Sequence, residues 1–257
     1  MKTLRLGRHD VVIYDSTDEL PVLRFHRFVR LLFIDAGVGS TMAEFDTHIE
    51  RVVRYLKNDD REKAVTELEN LRQCVAMIQN EIPLTGMAFA SLVASIDGHA
   101  ADDVSDEGLR ATLGKIGDVA VKDLSEALAA AKKKIEQELV LYFPKVFDSA
   151  KTREQYDILK HRTELLLQEI INGEDEERRR KIEDLTNALL VAEPPSPFYG
   201  RNSAEIVQDK NFESLCLSIS REFNVDAKRM TVVEFYTAQE SLLELAKKQK
   251  KKWNKTR

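Results

Sequence analysis

Hydrophobic residues recur at three- and four-residue spacing along most of this chain, and this spacing is typical of amphipathic α-helices. The spacing predicts two successive helices, one that begins after Thr41 and one around Ala64, with Asn58-Asp59-Asp60 as the break between them. These two helices form a predicted helical hairpin. Pro83 ends the second helix, and the apolar run from Leu84 to Ile96 predicts a shorter third one.

The same spacing predicts long helices in the middle of the chain. One runs from Val119 to about Tyr142, a second covers residues 145–172 after the interruption at Pro144, and a third covers Asp175 to Leu190. The turn between the last two makes them antiparallel, so we expect a bundle or a coiled-coil arm. Their predicted facing residues are Tyr156, Leu159, Leu166 and Ile170 on one helix and Ile182, Leu185 and Leu189 on the other.

The N-terminus has a different pattern, in which two short apolar segments flank a polar turn that contains Gly7. This pattern predicts a β-hairpin, and a lone hairpin is unstable in water. We therefore expect it to pack on a helix or to pair with a partner's strand. A helix is then predicted from Val22 to Ala36, after Pro21 and before Gly37.

A proline-rich segment, Glu193-Pro194-Pro195-Ser196-Pro197, divides the long helices from the C-terminal part. Beyond it the pattern predicts helices over Ser203–Gln208 and Phe212–Phe223, and a last helix that opens at the capping box of Thr231 and Glu234. The predicted fold class is mainly α. Its predicted divisions are a hairpin with helices over 1–100, a long helical hairpin or bundle over 101–192, a linker over 193–201 and a helical module over 202–257.

Composition narrows the class of protein. The chain has 257 residues, of which 43% are hydrophobic and 32% charged, which suits compact helical units. Cys74 and Cys216 lie far apart in sequence, so we expect no disulfide framework and a reducing environment. The longest apolar run is too short for a membrane span, and no signal-peptide pattern opens the chain, so we expect neither secretion by that route nor a membrane.

Cations are concentrated at the C-terminus, where no acidic residue lies among them. Such a tail can bind nucleic acid phosphates, and it can equally be the solvated end of a helix whose dipole favours basic residues. One aromatic residue in the tail is a weak basis for stacking on bases. The candidate nucleic-acid residues are Lys247, Lys248, Lys250, Lys251, Lys252 and Trp253.

Motifs that carry chemistry are incomplete in this sequence. Gly37-Val38-Gly39-Ser40-Thr41 lacks the lysine of a phosphate-binding loop, and in Gly108 to Gly114-Lys115 the glycine spacing is wrong and Ile116 replaces the hydroxyl that would bind magnesium. The five histidines include no His-Glu-x-x-His motif, and no serine has nucleophile-elbow surroundings. We therefore expect no catalytic residue, cofactor or metal.

Two segments resemble proteins encoded among bacteriophage tail genes, notably tail assembly chaperones and small helical virion proteins. The first is the hairpin that leads through Glu19-Leu20-Pro21 and Arg24 into a helix, and the second is Phe223-Asn224-Val225-Asp226 followed by Met230 to Tyr236. The resemblance implies that the protein binds another tail or head component during assembly, or stays in the particle, and it transfers no catalytic residue.

The leading functional hypothesis is therefore a non-enzymatic phage structural or assembly protein, present in the host cytoplasm during assembly and, as an alternative, in the virion. Its partners are other phage proteins or a second copy of itself, bound through apolar helix faces. The candidate contact residues are Arg24, Phe28, Phe235, Tyr236, Leu242 and Leu243. Two alternatives stay open: a nucleic-acid-associated factor that uses the lysine tail, and an enzyme with a site of dispersed Asp, Glu and His.

Overall fold

A computed structural model describes residues 1–117, 121–147, 150–192 and 194–255. It confirms the predicted fold class, since helices dominate and the strands form one small antiparallel sheet. In chain order the elements are β1 (Lys2–Leu6), β2 (His9–Ile13), α1 (Val22–Gly37), α2 (Met42–Lys57), α3 (Arg61–Gln79), α4 (Leu84–Ser91), β3 (Val93–Ile96), β4 (His99–Ala100), α5 (Asp106–Ile116), α6 (Val121–Tyr142), α7 (Pro144–Phe147), α8 (Ala150–Asn172), α9 (Glu176–Ala192), α10 (Ala204–Phe223) and α11 (Val232–Lys255). The predicted start of α6 at Val119 lies outside the described residues.

The N-terminal hairpin is present, and its second strand pairs within the chain. The sheet has the order β1-β2-β3-β4, with Val11 of β2 opposite Ile96 of β3. The helix predicted over Leu84 to Ile96 is therefore wrong beyond Ser91, because the last residues form a strand on the free edge of β2. The two-residue turn Asp97-Gly98 has positive φ at both positions, which suits the tight turn of a hairpin.

Helix α1 lies at the centre of the main core, where it packs against α4. One of its buried side chains is charged: the Arg24 guanidinium donates to the carbonyls of Ser91 at 3.2 Å and Val93 at 2.9 Å, and also to that of Ala101. Arg24 thereby hydrogen-bonds to backbone carbonyls at the point where α4 ends and β3 begins. Unpaired buried carbonyls would cost free energy, so this arginine supports the junction between helix and sheet.

The proline-rich segment is held against the body. The side-chain amide of Asn70, on α3, donates to the Ser196 carbonyl at 2.9 Å and accepts from the Phe198 amide at 3.1 Å. Phe198 is buried, and its ring packs against Phe33 with a centroid separation of 4.9 Å. The segment from 194 to 199 therefore has a fixed position on α1 and α3. Glu193 lies outside the described residues.

The C-terminal part contains one long helix where the sequence predicts two. Helix α10 is continuous across the polar residues 209–211, and it ends at Asn224, whose φ of 54° is left-handed. The predicted capping box of α11 is confirmed, since the Thr231 amide donates to Glu234 at 2.8 Å and the Glu234 amide donates to the Thr231 hydroxyl at 3.4 Å. Because Val22 packs with Cys216, Ile219 and Phe235, this part docks on α1.

Candidate protein-binding surfaces

Three of the predicted contact residues are buried inside the chain. Arg24 is 6% exposed, Phe28 2% and Phe235 2%. The reason is that the apolar face of α1 packs on α4 and the sheet, while the start of α11 packs on α1 and α10. In this fold these three side chains belong to the core, so they are not displayed to a partner.

The other three predicted contact residues lie further along α11. Tyr236 sits among aromatic rings, with centroid separations of 4.9 Å to Phe147 and 5.6 Å to Phe143. Burial raises the pKa of its hydroxyl to about 12, so Tyr236 stays neutral and acts as a packing residue. Leu242 is partly buried against the smaller core, and Leu243 is exposed. Of the six predicted contacts, Leu243 is thus the most open to a partner.

The basic tail continues α11 as a helix through Lys255. Lys247 and Lys248 are exposed. At Lys250, Lys251, Lys252 and Trp253 the structure describes the backbone alone, so nucleic-acid binding by the tail stays a prediction.

Helix α2 displays an exposed apolar stripe that consists of Met42, Ile49, Val53 and Leu56. These residues follow one another at intervals of seven, four and three, which places them on one side of the helix. The two outermost, Met42 and Leu56, are 61% and 56% exposed. Its neighbouring side, with His48, Val52 and Tyr55, is buried. The stripe is therefore a surplus of apolar surface beyond what folding of this helix uses.

Buried polar contacts fix α2 in place behind this stripe. The His48 ring nitrogens lie 2.9 Å from the Glu67 carboxylate on α3 and 2.7 Å from the Val38 carbonyl at the end of α1. Arg51 adds a contact to the same carboxylate at 3.4 Å. Because His48 and Glu67 are both buried and their polar atoms are engaged with each other, this cluster is a structural clamp with no access for a substrate. The stripe is thus presented by a rigid helix.

The antiparallel arm of α8 and α9 is present, but on α8 the seam differs in part from the predicted one. The side of α8 that meets α9 contains the buried Leu165, and Arg162 on the same side donates to Thr186 of α9 at 2.8 Å. Tyr156 and Ile170, which the sequence pattern predicts to face α9, are 65% and 81% exposed. Helix α8 therefore has two apolar sides, and the residues that the structure describes cover only one of them.

In the sequence, pairs of neighbouring large apolar residues indicate the exposed apolar sides of α2 and α8. Successive residues of an α-helix point about 100° apart, so a pair of neighbouring large apolar residues widens the stripe or starts another one. Val52-Val53 on α2 and the run Leu165-Leu166-Leu167 on α8 are such cases. In each, one member is buried and another is exposed. Periodicity detects both helices, and the doubled positions indicate that each has more apolar surface than one contact needs.

The concave surfaces that stand out along the described chain are shallow. One lies at the turn between α2 and α3, and the other lies beside His9, Asp97 and His99 near the sheet edge. In the second, His9 is 2.6 Å from Asp97, which lowers the pKa of that carboxyl, and no serine or cysteine lines the depression. No group of three or more His, Cys, Asp or Glu placed to hold a metal occurs among the residues that the structure describes.

Comparison with known proteins gives no further assignment: no family model matches this chain, and no curated protein or solved structure shows a significant match. Across the described ranges, every helix is too short or too polar to cross a lipid bilayer.

Proposed function

We propose that the protein is a non-enzymatic structural or assembly protein of bacteriophage type that binds another phage protein through the α2 stripe. The observation that carries this proposal is the stripe itself, in which four apolar side chains lie exposed on one side of a helix whose other contacts are fixed by buried hydrogen bonds. Covering such a stripe stabilises a complex by about 25 cal/mol per Å² of apolar surface removed from water.

Charges beside the stripe define the kind of partner. Asp46 and Glu50 are exposed along one flank of the α2 stripe, and the exposed Lys57 follows them at the C-terminal end of that flank. A partner groove with apolar walls and a basic rim on that side is therefore favoured over one with an acidic rim. Since α2 is already ordered, binding costs little conformational entropy in this chain, and the rigid helix favours a preformed contact.

The phage setting rests on the two segments near Pro21 and near Asn224 that resemble proteins of tail gene clusters. Both segments meet in the fold, since the Val22 amide donates to the Met230 carbonyl at 2.9 Å and the Val232 amide donates to the Leu20 carbonyl at 2.9 Å. In this proposal they fix the start of α1, whose other end holds His48 of α2 through the Val38 carbonyl. The contact with the other assembly component is made in the host cytoplasm.

Site-specific photo-cross-linking in cells that produce the particles tests the proposal. A photoreactive residue at Val53 should capture a virion or assembly protein, and Ile49→Glu should abolish that capture. Leu217 provides the matched control, because it is an exposed apolar residue on α10, away from the stripe. Thermal unfolding of Ile49→Glu within about 2 °C of the wild type would show that the fold is intact, as expected for an exposed site. Equal capture at Val53 and Leu217, or capture of a metabolic enzyme alone, would refute the proposal.

A further inference from the structure

Helix α8 has an apolar face that no side chain described by the structure covers, here termed the outer α8 face. Its large apolar members are all exposed, with Leu167 at 53% and Ile170 at 81%, and the face also includes the exposed Thr163. A neighbouring side of the helix is used in the seam with α9, where Arg162 donates to Thr186, and the exposed outer face is open to a second molecule. In chain order the outer α8 face consists of Tyr156, Leu159, Thr163, Leu167 and Ile170.

The spacing on this face is symmetric about Thr163. Leu159 and Leu167 lie four residues from it on either side, and Tyr156 and Ile170 lie seven residues from it. When a second α8 runs antiparallel with a two-fold axis at Thr163, Tyr156 meets the second copy's Ile170, and Leu159 meets its Leu167. Small Thr163 meets itself at the centre. A surface that is complementary to its own rotated copy is the requirement for an isologous dimer.

We propose that two copies of this protein associate through the outer α8 face, antiparallel, with Thr163 on the two-fold axis. The contact is a short stretch of knobs-into-holes packing between two helices that each retain their own α9 partner. The assembly is thus a four-helix contact between two arms. It uses a helix other than α2 and is independent of the proposed phage partner.

Charges on the flank of the outer α8 face favour the antiparallel direction. Lys160 and Glu164 are both exposed on the same flank. With the axis at Thr163, Lys160 lies about two residues, or about 3 Å along the helix, from the level of the second copy's Glu164, and symmetry repeats this pair. Glu164 and its own copy lie at the same offset, so two attractive pairs are opposed by one like-charge pair. His161, which lies 3.9 Å from Glu164 on the same helix, adds a second basic group near that carboxylate.

A parallel dimer has no equivalent pairing. In that direction the flank with Lys160 faces the side of the other helix that forms its seam with α9, where Arg162 donates to Thr186. Lys160 is then away from the other copy's Glu164, and the basic residue Arg162 lies two residues from its level. The charge pattern therefore discriminates between the two directions and supports a second copy over a generic apolar partner.

The contact is small, because it involves five positions on each helix. Interfaces below about 1,200 Å² are usual for weak and transient complexes, so we expect a dimer with a Kd in the micromolar range. Sedimentation velocity of the full chain over roughly 1–300 μM should show a monomer–dimer equilibrium. Leu167→Lys, at an exposed position, should move the chain to the monomer while its circular dichroism melt is unchanged.

Engineered cysteines determine the direction and register. Both native cysteines are buried, so their background reaction is low. With a short bismaleimide, Thr163→Cys should cross-link to itself, whereas Tyr156→Cys should not, because the two copies of that position lie about 21 Å apart along the helices. A mixture of Tyr156→Cys and Ile170→Cys should cross-link. His161→Cys, exposed on another side of α8, is the control that should not react with its copy.

Charge reversal completes the test. Lys160→Glu and Glu164→Lys should each weaken self-association about fivefold, because each puts like charges at both symmetric pairs. The double reversal should restore the Kd to within about twofold of the wild type, since the pairs are then rebuilt with exchanged signs. A monomer throughout the concentration range, self-cross-linking of Tyr156→Cys, or no recovery in the double reversal would overturn the proposal.

Discussion

Replacement of Asn70 by alanine should loosen the proline-rich segment from the body and destabilise the whole chain. Asn70 is 1% exposed, and its amide makes two hydrogen bonds to the backbone of that segment, to the Ser196 carbonyl and from the Phe198 amide. Removal of the side chain leaves both backbone groups without their partner. A buried polar group left unpaired costs about 1–3 kcal/mol, and partial access of water at Ser196 reduces its share.

The expected loss is therefore about 2–4 kcal/mol in the free energy of unfolding. For a chain of this size, 1 kcal/mol corresponds to roughly 2–4 °C, so Tm should fall by about 5–15 °C. Urea unfolding followed by circular dichroism measures the free energy, and limited proteolysis should show new cleavage within 194–201, which contains no regular element.

Asn80→Ala is the matched control for this substitution. Asn80 is exposed, and its amide donates to the Ala76 carbonyl of its own helix at 2.7 Å. Its replacement should cost about 0.5 kcal/mol or less, because water can replace that bond. A loss below about 1 kcal/mol for Asn70→Ala, with no new cleavage in 194–201, would refute the docking role assigned to Asn70.

Two further predictions follow from the same region of α1. Gly37→Ala should destabilise the chain by about 1–3 kcal/mol, because the added Cβ would lie closer than 3.0 Å to the Phe198 ring, whereas Gly114→Ala, with nothing within 4 Å, should be neutral or stabilising in urea unfolding. Burial, with Glu44 as a second cause, raises the pKa of Asp35 from 3.8 to about 6, so the folded state favours the protonated carboxyl and stability should fall as pH rises from about 4 to 6. Asp35→Asn should remove this fall and be more stable than the wild type by about 1–2 kcal/mol at pH 8, with equal stability near pH 4; parallel stability curves would contradict the assignment.

Local sequence signals were sufficient for most helices, but they failed where distant residues decide the structure. The run from Leu84 to Ile96 is apolar throughout, and periodicity cannot distinguish a buried strand from a helix in such a stretch. Val93–Ile96 becomes a strand because β2, far away in sequence, offers it a free edge. Likewise, residues 209–211 look like a helix break, yet Asp209 stays in α10 and lies 2.9 Å from His26 of α1.

The candidate surfaces show a second limit of sequence patterns. An apolar stripe shows that one side of a helix favours burial. It does not show which of several stripes is covered by the same chain. Phe28 and Phe235 look like contact residues and are core residues, whereas Met42 and Leu167 are exposed. That choice depends on the packing of the complete fold, since α1 is covered by α4 and by α11 from the other end of the chain.

The backbone hydrogen bonds between Leu20 or Val22 and residues 230–232 also bear on how the protein is made. During translation, Val22 and Phe25 are synthesised long before the residues that shield them, including Phe235 and Tyr236. A nascent chain therefore exposes these apolar residues of α1 from their synthesis until that of α11. Products of early termination would lack α11 and leave these apolar residues of α1 uncovered, so we expect such fragments to aggregate.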